Sequence, residues 1–141
     1  MKIEKVTKYS DFKEVFNSVE RHGWLSDKDI VDDYFDGKLF ISLNDKSIPV
    51  VAFTLEKNIA NDMYYIKRLS LLNKVYGGKG YVKATIKELT KYHYCLGLTL
   101  RPTNDRMINI AVSNGFKFKE DVYSRKTGEH YFLYLYKKEE V

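Results

Sequence analysis

Apolar positions along the chain change period several times, and each change marks an expected element. Residues 2–7 alternate as a short strand. Ser10 and Asp11 then stand where a helix cap is wanted, ahead of Phe12, Val15, Phe16 and Val19 at helical spacing, with His22 and Gly23 as the stop. A second helix, short and acidic in SDKDIVDDYF, opens at Ser26 with Asp29 as an approximate capping box and closes at Gly37. Three strands follow, at 38–43, 48–57 and 63–73, separated by the turn residues NDKS and NIAND. Their spacing implies an antiparallel meander.

Residues 80–92 return to a helical period, with Val82, Ile86 and Leu89 on one face and Lys83, Lys87, Glu88 and Lys91 on the other. A short strand at 96–101 precedes a helix at 105–114, capped by Asn104 and ended by Gly115. Two strands close the chain, at 116–122 and 130–137. The predicted order is β-α-α-β-β-β-α-β-α-β-β, an α/β (α+β) chain with a mixed sheet and helices on both faces.

Composition narrows the class. At 141 residues with 44% apolar and 30% charged positions, the chain is expected to form one globular domain, residues 1–141. No stretch approaches the roughly 18 apolar residues of a membrane span, so no membrane partner is expected. The start, MKIEKVTKYSDF, carries charges where a signal peptide needs an apolar core, and the lone Cys95 suits a reducing compartment. A cytoplasmic location is the expectation, with Cys95 as a packing residue. The net charge of +5 fits a nucleic-acid partner or a polyanionic small ligand equally. Lys74, Lys79, Lys83, Lys87 and Lys91 form the nearest thing to a basic cluster, and a plain solvated face is the competing reading. Tyr131, Phe132, Tyr134 and Tyr136 read as sheet packing. His22, His93 and His130 have no spacing that makes a metal site, so none is expected.

The segment LSLLNKVYGGKGYVKATIKEL carries the chemistry: a strand, a turn with Gly77, Gly78 and Gly80, then an amphipathic helix. Such a turn can expose several backbone N–H groups at a helix N-terminus, where the macrodipole favours an anion. Glycine keeps Cβ atoms out of a phosphate's approach and permits positive φ. Lys74, Lys79 and Lys83 can add attraction, while an ordinary glycine loop is the bland alternative.

The turn resembles the central motif of the GNAT acyltransferases, in which a strand leads into Arg/Gln-x-x-Gly-x-Gly/Ala and then a helix. GGKGYVKATI aligns with Gly78 and Gly80 at the motif glycines. NDRMINIAVSNGFKF resembles the later motif of that family, with Asn104, Gly115 and Phe116 matching. The resemblance spans nearly the whole chain. It implies a GNAT-like, mostly antiparallel sheet of six to seven strands, acetyl-CoA as co-substrate, and transfer of an acetyl or other acyl group to an amine. It places the coenzyme against Leu71, Leu72, Lys74, Gly77, Gly78, Lys79, Gly80, Tyr81, Val82 and Asn104, and Asn104 doubles as a helix cap.

Three departures stand out. The Arg or Gln that heads the family's turn is Gly77, its last small residue is Val82, and the tyrosine that protonates the coenzyme thiolate in many members is Ala111. Ser113, Tyr123 and Tyr64 are the substitute hydroxyls, or solvent serves. Glu56 and Asp62 are the candidate bases for an amine that attacks the thioester directly. Trp24 and Leu25 fall in a region that often borders the acceptor site in this family, with core packing as the alternative. Loops such as 24–29 and 124–129 would select the acceptor, a small molecule, a protein or a nucleic acid, and a homodimer is a candidate assembly. Two other readings are carried: a GNAT-fold binding or adaptor protein without catalysis, and a nucleic-acid-modifying enzyme similar to the phage Mom proteins, to which the basic charge and Arg68-Leu69 point. Simple nucleic-acid binding is a third.

Overall fold

The computed structural model describes residues 1–22, 27–58, 60 and 62–138, except for the side chains of residues 19–22. Its elements are β1 (Lys2–Lys5), α1 (Tyr9–His22), α2 (Asp27–Phe35), β2 (Leu39–Leu43), β3 (Pro49–Asn58), β4 (Met63–Leu71), α3 (Tyr81–Tyr92), β5 (Cys95–Leu100), α4 (Asp105–Ser113), β6 (Lys117–Tyr123) and β7 (His130–Lys137). The order is the one the periodicity predicts, with an additional 3-10 turn at Lys74–Tyr76.

Most boundaries shift by one or two residues, β1 for example ending at Lys5 rather than Thr7, and three of the shifts have a clear local reason. Phe12 N donates to Lys8 O at 3.1 Å, so α1 starts at Tyr9, two residues earlier than a Ser10 cap would give, and Ser10 lies inside the helix. Asn73 does not extend β4, because its side chain accepts from Val75 N at 3.1 Å and caps the 3-10 turn. Phe116 N turns back to Ala111 O at 3.1 Å and finishes α4, which delays β6 to Lys117.

The strands form one seven-stranded sheet in the order β1-β2-β3-β4-β5-β7-β6. All neighbours are antiparallel except β4 and β5. On one face, α1 and α2 cover Val6, Leu39, Ile41 and Ala52 with Val15 and Ile30. On the other, α3 and α4 cover Val51, Phe53, Leu55, Leu96 and Leu98 with Ile86, Leu89 and Ala111. Alternation along β3 therefore supplies both layers from one strand. A buried Ser42–Thr85 hydroxyl pair at 2.8 Å joins α3 to β2, and the Thr85 hydroxyl also reaches Tyr81 O at 2.8 Å. That pair fixes the rotation of α3 and hence the direction in which its N-terminus points.

Candidate functional site

The turn before α3 has the backbone that its glycines allow. Gly78 and Gly80 both have φ of +75°, and a Cβ at either would project into open space. An L-residue would be strained there. Gly80 is the N-cap of α3 and has no side chain to cap it, so the first amides of the helix face outward without one. Beneath the turn lies a cavity of ≈ 140 Å³ whose walls include Leu71, Tyr76, Val82, Lys83, Arg106 and Ile110. Backbone donors, a helix N-terminus and two cations meet there, which is the chemistry of a polyphosphate cradle.

The sheet opens directly beside this turn. β4 and β5 pair only at Tyr64–Leu96 and Tyr65–Gly97, after which β4 stays with β3 and β5 with β7. A slot widens between the two parallel strands toward their C-terminal ends. On the face opposite α3 and α4 the slot meets a second cavity, of ≈ 420 Å³, lined by Tyr65, Lys67, Thr99, Glu120, Val122 and Leu133 among others. Alternation fixes that face: Leu98 and Leu100 belong to the core under α3, so Thr99 points the other way. Thr54 reaches α2, and its register partner Lys67 shares that side. One opening thus lies on each side of the sheet, with the slot between them.

The bend in β4 comes from a β-bulge. Thr54 faces Lys67 and Ala52 faces Ser70, so Arg68 and Leu69 together oppose Phe53. Arg68 takes the left-handed conformation with φ of +53°. Its guanidinium binds Asp33 of α2 at 2.7 Å and approaches Asp29 at 3.6 Å. Asp33 is buried and also accepts from Thr54 Oγ1 at 2.9 Å. Burial pushes the Asp33 carboxyl above its ordinary value, against the opposing pull of Thr54 and Arg68. The Arg68 charge is thus engaged inside the protein rather than offered to a nucleic acid.

Of the residues expected at a coenzyme site, Leu71, Gly78, Gly80, Tyr81 and Val82 line the smaller cavity. Lys79 lies with Gly80 and Tyr81 on the other flank of the turn, in a separate groove of ≈ 540 Å³. Gly77 closes the 3-10 turn through Lys74 O, Lys74 is exposed, and Leu72 is buried in the layer under α1 and α2. Asn104 caps α4 by accepting from Met107 N at 3.3 Å. Ala111 is fully buried in the core.

The expected hydroxyls and bases are dispersed. Ser113 is exposed and donates to Ile110 O at 2.8 Å. Tyr123 lies at the end of β6, the sheet edge three strands from β4, roughly 14 Å away at ordinary strand spacing. Tyr64 packs on His93 at 4.7 Å, and Asp62 pairs with Lys57 at 3.2 Å. Glu56 binds Lys67, a wall of the larger cavity, at 2.7 Å, and that hydrogen bond draws its carboxyl below the usual value. Trp24 and Leu25 lie outside the described residues. Arg106 and Ile110 had no signal in the sequence, because the approach of α4 to the turn is a tertiary fact, while Tyr76 stands inside the turn segment itself without a mark to single it out.

No family model matches the sequence, and no curated protein does. Solved structures do match the fold. A GNAT-family acetyltransferase from Bacillus cereus ATCC 10987 is similar over 99% of this chain and 98% of its own, with a TM-score of 0.77 and 15% identity. One from Streptococcus agalactiae 2603 is similar over 99% and 96%, with a TM-score of 0.79 and 13% identity. The ribosomal-protein-S18-alanine N-acetyltransferase of Escherichia coli is similar over 95% and 91%, with a TM-score of 0.71 and 17% identity. The chain has the GNAT acetyltransferase fold.

Proposed function

We propose that this protein is an N-acyltransferase that moves an acetyl or other acyl group from acyl-coenzyme A to an amine. The observation that carries the reading is the slot between β4 and β5, closed at one end by two pairs and flanked at the other by the glycine turn of α3. The pyrophosphate would rest on the amides from Gly78 to Val82, with Lys83 and Arg106 neutralising charge. The pantetheine arm would enter the slot along Leu71. The acceptor would come from the opposite face, through the cavity walled by Tyr65, Thr99 and Leu133. Its nitrogen attacks the thioester carbonyl, the N–C bond forms, the C–S bond breaks, and the thiolate takes a proton from solvent.

Glu56, held ionised by Lys67 beside that cavity, is our assignment for the group that finally receives the amine's proton through water. Glu56→Gln is expected to lower kcat on the order of a hundredfold while leaving coenzyme affinity intact. Undiminished kcat would remove Glu56 from the mechanism. Ser113, with its hydroxyl committed to Ile110 O, and Tyr123, on the far edge, are not assigned roles. Among the described residues no helix is long and apolar enough to cross a membrane. A cytoplasmic setting, where acetyl-CoA is abundant, is part of the proposal.

The test is the thermal midpoint with and without acetyl-CoA. A ligand that binds only the folded state stabilises by RT ln(1 + [L]/Kd), about 2.7 kcal/mol at a hundredfold excess over Kd. We expect a clear rise that disappears in Gly80→Trp, which sets a bulky side chain, strained at positive φ, on a wall of the cradle. An unchanged midpoint at millimolar ligand would overturn the reading. A binding protein without catalysis is favoured by one observation, the buried Ala111 where a hydroxyl would protonate the thiolate. Coenzyme binding with no release of free thiol across a panel of amines would establish that alternative.

A further inference from the structure

The position that most strains β4 is also the one most firmly held from outside the sheet. A residue other than glycine in the left-handed region costs on the order of 1–3 kcal/mol and persists only where its surroundings over-determine it. Arg68 is such a residue, at φ of +53° and at the point where β4 has already parted from β5. What over-determines it is α2: Asp33 at 2.7 Å, Asp29 at 3.6 Å, and Thr54, which holds the same Asp33 oxygen from β3 at 2.9 Å.

We propose that the Arg68–Asp33 pair is a positioning device that ties the bulge of β4 to α2 and so sets the width of the coenzyme slot. α2 of the acceptor-side layer, braced by Thr54 of β3, thereby holds the strand whose other side the coenzyme would occupy. The bulge turns Arg68 and Leu69 out of regular pairing with β3, and Leu71, a wall of the turn cavity, follows three residues later. Neither side chain touches the coenzyme, since Arg68 is directed to α2 on the opposite face. The inference rests on the acyltransferase reading.

Three variants test it: Arg68→Gly, Arg68→Lys and Asp33→Asn. Glycine accepts positive φ without strain, which offsets part of the cost of leaving the buried Asp33 without its cation, so Arg68→Gly is expected to keep a cooperative transition at a lowered midpoint. Asparagine preserves the shape of Asp33 and its bond to Thr54 and removes only the charge that holds Arg68. Both are expected to weaken acetyl-CoA binding about tenfold, read by calorimetry, and to speed amide exchange across residues 67–71. Arg68→Lys, which keeps the charge, is expected to fall closer to wild type. Wild-type affinity and unchanged exchange in both Arg68→Gly and Asp33→Asn would overturn the tether. Absence of acetyl-CoA binding by the wild type would instead overturn the acyltransferase reading, and the exchange comparison alone would then decide whether the pair holds β4.

Discussion

At His93 the burial of one imidazole creates a pH dependence for the fold. The ring packs on Tyr64 at the C-terminus of α3, and desolvation lowers its proton affinity below the ordinary value of 6.5. The unfolded chain therefore takes up this proton first as pH falls. Stability drops as pH descends through the unfolded value toward the folded one and is retained above it. Glu56 works over a lower range: its folded value is depressed, so its contribution is present above the ordinary carboxylate value of 4.5 and is lost further down. Asp33 runs the other way, because a carboxyl raised by burial is most favourable when protonated. Between about pH 7 and about pH 5 the His93 effect is the one expected to show, and His93→Gln should flatten the fall of the thermal midpoint there. An unaltered slope in that variant would assign the pH dependence elsewhere.

Among elements, β5 owes its place to a glycine that no turn requires. A Cβ at Gly97 would lie 2.8 Å from Cδ1 and Cε1 of Tyr65, the ring that walls the larger cavity. That ring occupies the last rung at which β4 and β5 pair. Gly97→Ala is expected to push Tyr65 toward the cavity or part the strands, at a cost of about 1–3 kcal/mol. If the cavity receives the amine, KM for the acceptor should rise more than KM for the coenzyme. An equal effect on both would mean that the damage lies in the slot. Element order was legible because runs such as Val82, Ile86 and Leu89 repeat at helical spacing and His130–Lys137 is rich in aromatic strand formers. The glycine turn was legible for the same local reason. The bulge at Arg68 was not, since left-handed backbone at an arginine has no compositional mark and is imposed by Asp33, 35 residues away in sequence. Nor was Arg106, which α4 brings to the turn only once both helices pack on the sheet.

For the molecule as a whole, β3 decides whether the two layers act as one. Val51 and Phe53 are fully buried under α3 and α4, while Ala52 between them is buried under α1 and α2. Neither layer can lose its packing without exposing a strand that the other needs, which is why we treat the chain as one cooperative unit. Ile41 lies in the first layer and Ile86 in the second, both almost wholly buried. Each truncation to alanine should cost about 2–5 kcal/mol, from lost transfer energy and the cavity left behind. Because the two side chains occupy separate layers, their effects should add to within about 0.5 kcal/mol, yet each should lower one shared transition. Denaturant melts followed at the aromatic signal and at the backbone signal would read this directly. Coincident curves in both variants are the expected result; a variant in which the two signals separate would mean that the α1–α2 layer unfolds on its own. In that event the acceptor side could open without the coenzyme side, and the Arg68–Asp33 pair would be the bond that such opening must break.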